Sequence, residues 1–257
     1  MSADVPSYIP ASIVGAPLDF RWEGARDHMG PTETITPLLD MLASTTTAAQ
    51  IAMCAGVLSW GAWRLKGHTP VEHNFELAEA AFAYMVDWRY VDRDAGPKGK
   101  APDQPPAVSA MMQLNRFMRL ELNHDEYWDN YFQPVRETFH AVHIVRHILP
   151  KATVAEFDSW LKALVARIKS HWAKPDEEFR KKDTFSSPEE REPFIARHRG
   201  PPIPHQILDP RFEYREADRV RLIGEFLERL DPKTNRYLRT SEAMLALGFK
   251  GVPYRLT

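Results

Sequence analysis

The chain has 257 residues, 44% apolar and 26% charged, which is enough to bury a sizeable core and too apolar for a disordered or collagenous chain. Its 33 basic and 35 acidic residues leave a net charge of -2, which argues against a protein whose main task is gripping a polyanion, so no nucleic acid partner is expected. The single cysteine, Cys54, excludes an internal disulfide framework; within the apolar run Ile51–Leu58 it reads as a small buried hydrophobe, not a low-pKa nucleophile.

Residues 1–30 show no helical stripe and predict an extended segment. Met1–Ser12 has neither a basic start nor an apolar h-region, so a cytoplasmic chain without a secretory leader is expected. Thr36–Ala43 predicts a short helix with Pro37 at its first position, where the missing N–H costs nothing. Thr47-Ala-Ala-Gln50 reads as a capping box, opening a helix to about Lys66 that Gly67 stops. The longest apolar stretch, Thr46–Trp63, lies here. Ala, Gly, Thr and Gln50 dilute it, so it predicts a buried central helix, with no membrane insertion.

Thr69-Pro70-Val71-Glu72 reads as a second capping box. The helix it opens runs to about Val91, and its apolar positions Val71, Phe75, Ala78, Phe82 and Met85 step by four and three. Two or three residues join these helices, so they should pack antiparallel. Residues 93–106 hold four prolines and two glycines and predict an exposed loop. A helix follows over about Ala107–Leu122, on Val108, Met111, Met118 and Leu122. Another segment spans about His124–Leu149, on Trp128, Phe132, Val135, Phe139 and Val142. Pro134 removes one of its hydrogen bonds and predicts a kink or break near Gln133. Thr153-Val-Ala-Glu156 reads as a third capping box, ahead of a stripe on Val154, Phe157, Leu161, Leu164, Ile168 and Trp172.

Past Trp172 the chain is charged and punctuated by proline. Ser187-Pro-Glu-Glu190 is a fourth capping box for a short helix to Arg197. Gly200-Pro-Pro-Ile-Pro204 must be extended. Helices are expected again over about Tyr214–Leu230 and Ser241–Leu247. No alternating pattern exceeds four residues. The fold class is therefore all-α: an antiparallel helical bundle or irregular helical array. A helical body over 31–172 is followed by a Pro-rich, partly extended region over 173–257, with one or two helices packing on the body.

The richest chemical signal is the stripe Glu137, His140, His143 and His147, spaced to share one helix face and able to ligate zinc or iron. The same stripe lies beside the apolar face, where histidine serves as a half-apolar boundary residue, and Arg136 on it would repel a cation. A second group, His68, Glu72, His73 and Glu76, has a capping residue and first-turn acids within it. No Gly-x-Ser-x-Gly elbow, phosphate loop or dinucleotide turn is present. In the arm Arg199–Phe212 the apolar residues Ile203, Ile207, Leu208 and Phe212 lie in non-helical sequence, either as a strap over the chain's own core or as an arm for a partner.

These features predict a non-enzymatic helical module that needs no cofactor and binds another protein or a second copy of itself, as an adaptor, chaperone, immunity or assembly factor. The alternative is a metal-dependent enzyme using His140, His143 and His147 with Glu137 or Glu72.

Overall fold

The computed structural model describes residues 4–30, 36–96, 104–124, 134–177 and 184–256. Among them are ten helices and no strand, the all-α array expected. In chain order these are α1 (Ala25–His28), α2 (Pro37–Ala43), α3 (Thr47–Leu65), α4 (Glu72–Val86), α5 (Pro106–His124), α6 (Pro134–Ile148), α7 (Val154–Trp172), α8 (Pro188–Arg199), α9 (Arg219–Arg229) and α10 (Ser241–Ala246). No helix among the described residues is long and apolar enough to cross a membrane.

The helix starts follow local hydrogen bonding, not always in the expected form. The Thr36 hydroxyl accepts from Leu39 N at 3.2 Å and caps α2. Ser187 Oγ accepts from Glu190 N at 3.3 Å, while the Glu190 carboxylate accepts from Ser186 N at 2.9 Å, so the fourth capping box forms with a shift of one residue. The first three boxes do not form. The Gln50 amide donates to Thr45 O at 3.0 Å, α4 has no side-chain cap, and the Thr153 hydroxyl donates to Pro150 O at 2.9 Å. At the first and third boxes a turn before the helix occupies the group that would have capped it. Helix α4 ends five residues before the expected Val91, because the Asp87 carboxylate accepts from Arg89 N at 2.8 Å and folds Trp88–Tyr90 into a 3-10 turn. Pro134 is the first residue of α6, where it costs nothing. The kink expected near Gln133 and the positions Trp128 and Phe132 fall outside the described residues.

Every residue of α3 is buried, including Arg64. Helices α4, α5 and α6 pack on it directly, and α7 and the strap close its remaining side. Small residues make this enclosure possible. A Cβ on Gly56 would stand 2.9 Å from Leu208 Cδ2 and 3.0 Å from the Trp160 ring, and one on Gly61 would overlap Leu114. Arg64 ends the helix with its guanidinium in the interior. Nε donates to Ile148 O at 2.8 Å, and the two terminal nitrogens donate to Ala16 O at 2.6 Å and Pro17 O at 2.7 Å. One side chain thus ties α3 to the end of α6 and to the N-terminal segment.

Both ends of the chain join the same core. Ile9 and Ile13 enter it from the N-terminal segment; Ile203, Ile207, Leu227, Tyr237 and Met244 enter it from beyond residue 173. Two main-chain bonds, Asp92 N to Tyr237 O and Arg239 N to Tyr90 O, both 2.8 Å, fix the C-terminal region beside the end of α4.

Candidate functional site

The histidine stripe on α6 is a packing surface for the N-terminal segment and α5. His140 is 5% exposed and lies against Phe117 with ring centroids 5.7 Å apart. Burial lowers its pKa, Glu137 opposes the shift and Arg136 adds to it. His143 meets Phe139 edge-on at 4.6 Å. His147 Nε2 is 2.6 Å from Arg21 O, and its ring stacks on His28 at 3.7 Å. The three rings therefore spread along the helix against different neighbours. Among the described residues no three His, Cys, Asp or Glu side chains group so as to hold a metal ion. The second cluster is occupied by a cation of the chain itself: Arg236 Nε donates to Glu76 Oε2 at 2.5 Å, and Arg236 Nη1 lies 3.0 Å from His73 Nε2.

Glu121 on α5 carries no weight in the sequence reading, yet it is the most perturbed acid of this interior. It is fully buried. Burial raises its pKa well above the usual carboxylate value, Glu137 adds to the rise and Thr138 opposes it. The available signal was its place in the apolar stripe, one turn after Phe117 and Met118. Cys54 is also buried, and its thiol is pushed up, first by burial and then by Glu121, as expected of an unreactive side chain.

The arm is a strap. Ile203 is 1% exposed, Ile207 0% and Leu208 6%, so these three candidate partner-binding side chains stand in the chain's own core; Phe212 is half-buried. The Trp160 indole donates to Leu208 O at 2.9 Å and Arg167 to Asp209 O at 2.5 Å, so α7 holds the strap through its main chain. The apolar residues went inward because the small α3 residues facing them leave room for side chains of this size.

Where the strap, α9 and the N-terminal segment meet α3 and α4, closure is incomplete. A cavity of about 600 Å³ remains there. Tyr8 forms one side and is itself stacked on Trp160 at 5.7 Å. Trp63 of α3 and Phe82 of α4 form the floor, and Phe212 and Phe226 the outer wall. His205 fills the corner between Phe82 and Phe226, with ring centroids 6.2 and 5.2 Å away. Its pKa is pushed down to about 4, by burial and then by Arg229, with Glu79 opposing, so the ring is neutral at neutral pH. Two polar atoms of this wall, His205 Nδ1 and Gln206 Oε1, are buried without a hydrogen-bond partner. The volume falls in the range of pockets that hold small organic molecules, and so does the mix of aromatic walls with a few polar groups. Sequence periodicity could not reveal the site, because its lining comes from five separated segments.

Set against known proteins, the chain matches no family model, no curated protein and no solved structure.

Proposed function

We propose that this chain is a small-molecule-binding protein and that the cavity beneath the strap is its site. The observation that carries this is the pair of unpaired buried atoms, His205 Nδ1 and Gln206 Oε1, in the wall of an aromatic cavity. Buried polar atoms are satisfied in the great majority of cases, and a bound molecule supplies here what the fold does not. Ser59, the hydroxyl-bearing cavity residue of α3, donates to Ala55 O at 2.9 Å, which favours binding over nucleophilic catalysis. The neutral apolar dye N-phenyl-1-naphthylamine tests the site. Saturable one-to-one fluorescence enhancement is expected, lost on Ala78→Phe, whose ring takes up cavity volume, and weakened in Phe212→Ala. Enhancement that never saturates, or that both variants leave unchanged, would remove the reading.

A second reading is the helical protein-binding module expected from the sequence, and a different surface favours it. Trp88, Leu245, Leu247, Val252 and Leu256, in the turn after α4 and in the C-terminal region, are all at least 38% exposed. A sedimentation coefficient that rises with concentration and is restored to the monomer value by Leu245→Glu supports self-association through this surface. A monomer at every concentration removes that form of it.

A further inference from the structure

We propose that the segment Val5–Tyr8 is the lid of the cavity, opening to admit the ligand and closing over it. This rests on the ligand-binding reading above and names how that site is entered.

The walls of the cavity differ in how they are held. Trp63, Phe82 and Phe226 stand on α3, α4 and α9, where the main chain is bonded within each helix. The strap is pinned from outside. The Trp160 indole donates to Leu208 O at 2.9 Å, and Arg167 donates to Asp209 O at 2.5 Å. Moving any of these walls breaks hydrogen bonds of the main chain.

Val5–Tyr8 are held in another way. All four residues line the cavity in sequence. Among the described residues their main chain makes one hydrogen bond, the local turn from Ile9 N to Pro6 O at 2.9 Å. No main-chain bond joins Val5–Tyr8 to the strap or to a helix among those residues. Side chains fasten them instead. The exposed Ser7 hydroxyl donates to Asp209 Oδ2 at 2.5 Å, and the Tyr8 ring stacks on Trp160 at 5.7 Å with the planes 10° apart. Water replaces a surface hydrogen bond at little net cost, and a stacked ring separates without disturbing the backbone. Segments held by so few buried bonds are the ones that open locally.

The fixed parts define what moves. Asp209 is a firm post: besides the bond to its carbonyl from Arg167, its carboxylate accepts from Arg211 N at 2.9 Å and from Arg211 Nε at 3.3 Å. The moving side of the latch is therefore Ser7. Directly after the segment, Ile9 is 3% exposed and Ile13 0%, so the core anchors the chain there and confines the displacement to the residues before Ile9. Pro6 fixes its own φ, and the turn that follows it stiffens the segment, so Val5–Tyr8 lift as one piece. Lifting takes Tyr8 off Trp160 and opens the side of the cavity that the helices and the strap leave to this segment.

Stopped-flow fluorescence with N-phenyl-1-naphthylamine on the native chain and on Ser7→Ala separates a lid from a fixed wall. Ser7 is exposed, so its hydroxyl can be removed without touching the core. A weaker latch raises the open fraction with and without dye. Association and dissociation should therefore both quicken about fivefold, the effect of one surface hydrogen bond, while the affinity changes less than about twofold. Phe212→Ala, which thins the strap side of the cavity, should quicken dissociation alone. If Ser7→Ala leaves both rates at the native values, or raises only dissociation, Val5–Tyr8 are a fixed wall and the proposal is overturned while the cavity stands. If Phe212→Ala is the variant that speeds association, entry runs past the strap and the lid is likewise overturned. If the dye never binds saturably, the ligand-binding reading falls and the lid falls with it.

Discussion

Two apolar regions meet along α3, and they are finished to different standards. Along most of the helix, alanine and glycine let neighbours close until every residue is buried; Gln50 and Arg64 find acceptors there, though the buried Trp60 Nε1 does not. A few residues on, toward the strap and α9, large rings meet across about 600 Å³ of unfilled space, and two polar atoms stay unpaired. The same helix faces both. What differs is the partner: small side chains allow interlocking, whereas the cavity is lined by large rings together with Glu79, Asp209 and Arg229. Strict packing is a property of a surface pair, not of a core as a whole, and the place where it lapses is the place to look for a ligand.

The sharpest break in this comparison comes from Arg64. Arg64→Met removes the side-chain donor of Ile148 O and Pro17 O, while Ala16 O keeps the His68 ring nitrogen 2.8 Å away, and is expected to cost about 3 kcal/mol, read as a lower urea midpoint. A loss below about 1 kcal/mol would show that water reaches that end of α3 and that the contrast is overstated.

Glu121 gives the next largest effect. Its folded pKa lies above the ordinary value of 4.5, so its penalty is absent below that pH and grows as pH rises. In that range the unfolded chain releases a proton that the fold retains, and stability falls by about 1.4 kcal/mol per pH unit until the folded pKa is reached. His205 acts with the opposite sign. Its folded pKa of about 4 lies below the ordinary 6.5, so its contribution is complete above 6.5 and is lost as pH falls toward 4. As pH rises from 4.5 the two slopes oppose each other. Relative to wild type, Glu121→Gln should therefore gain stability progressively with rising pH in chemical denaturation. Parallel curves would show that the carboxyl is ionised in the fold.

Smaller effects refine the boundary between the two regions. Gly56→Val should cost about 2 kcal/mol by forcing Leu208 and Trp160 outward, measured as a lower melting temperature. Phe212→Ala, at the half-exposed edge of the cavity, should cost less than about 1 kcal/mol in stability while weakening dye binding several-fold. Equal losses from the two would mean that the cavity wall is as tightly packed as the centre.

Much of the helical body was legible. The one-sided stripes placed α5 and, with the Thr153 box, α7 to within two residues, and Thr36 with Pro37 announced α2. The capping motifs at Thr47 and Thr153 placed the starts of α3 and α7, although neither forms its side-chain cap: the Gln50 amide turns to Thr45 O and the Thr153 hydroxyl to Pro150 O. The C-terminal region is expected to be Pro-rich and partly extended with helices packing on the body, but where it packs was not legible, because its bonds join distant parts of the chain. Asn235 reaches the carbonyl of Glu76, and Asn115 reaches the Tyr237 hydroxyl. Such pairs leave no periodic trace. The histidine stripe was rightly placed beside the apolar face, but nothing local foretold that Arg21 and His28 would cover His147.

Full enclosure of α3 also sets an order of events during synthesis. The helix leaves the ribosome early, yet the leucine that closes over Gly56 and the indole that anchors that leucine's carbonyl follow far later. Until they arrive, one flank of an almost wholly apolar helix stays open to water. The core around α3 therefore closes only once the strap has emerged, and closure over so long a sequence separation favours slow folding.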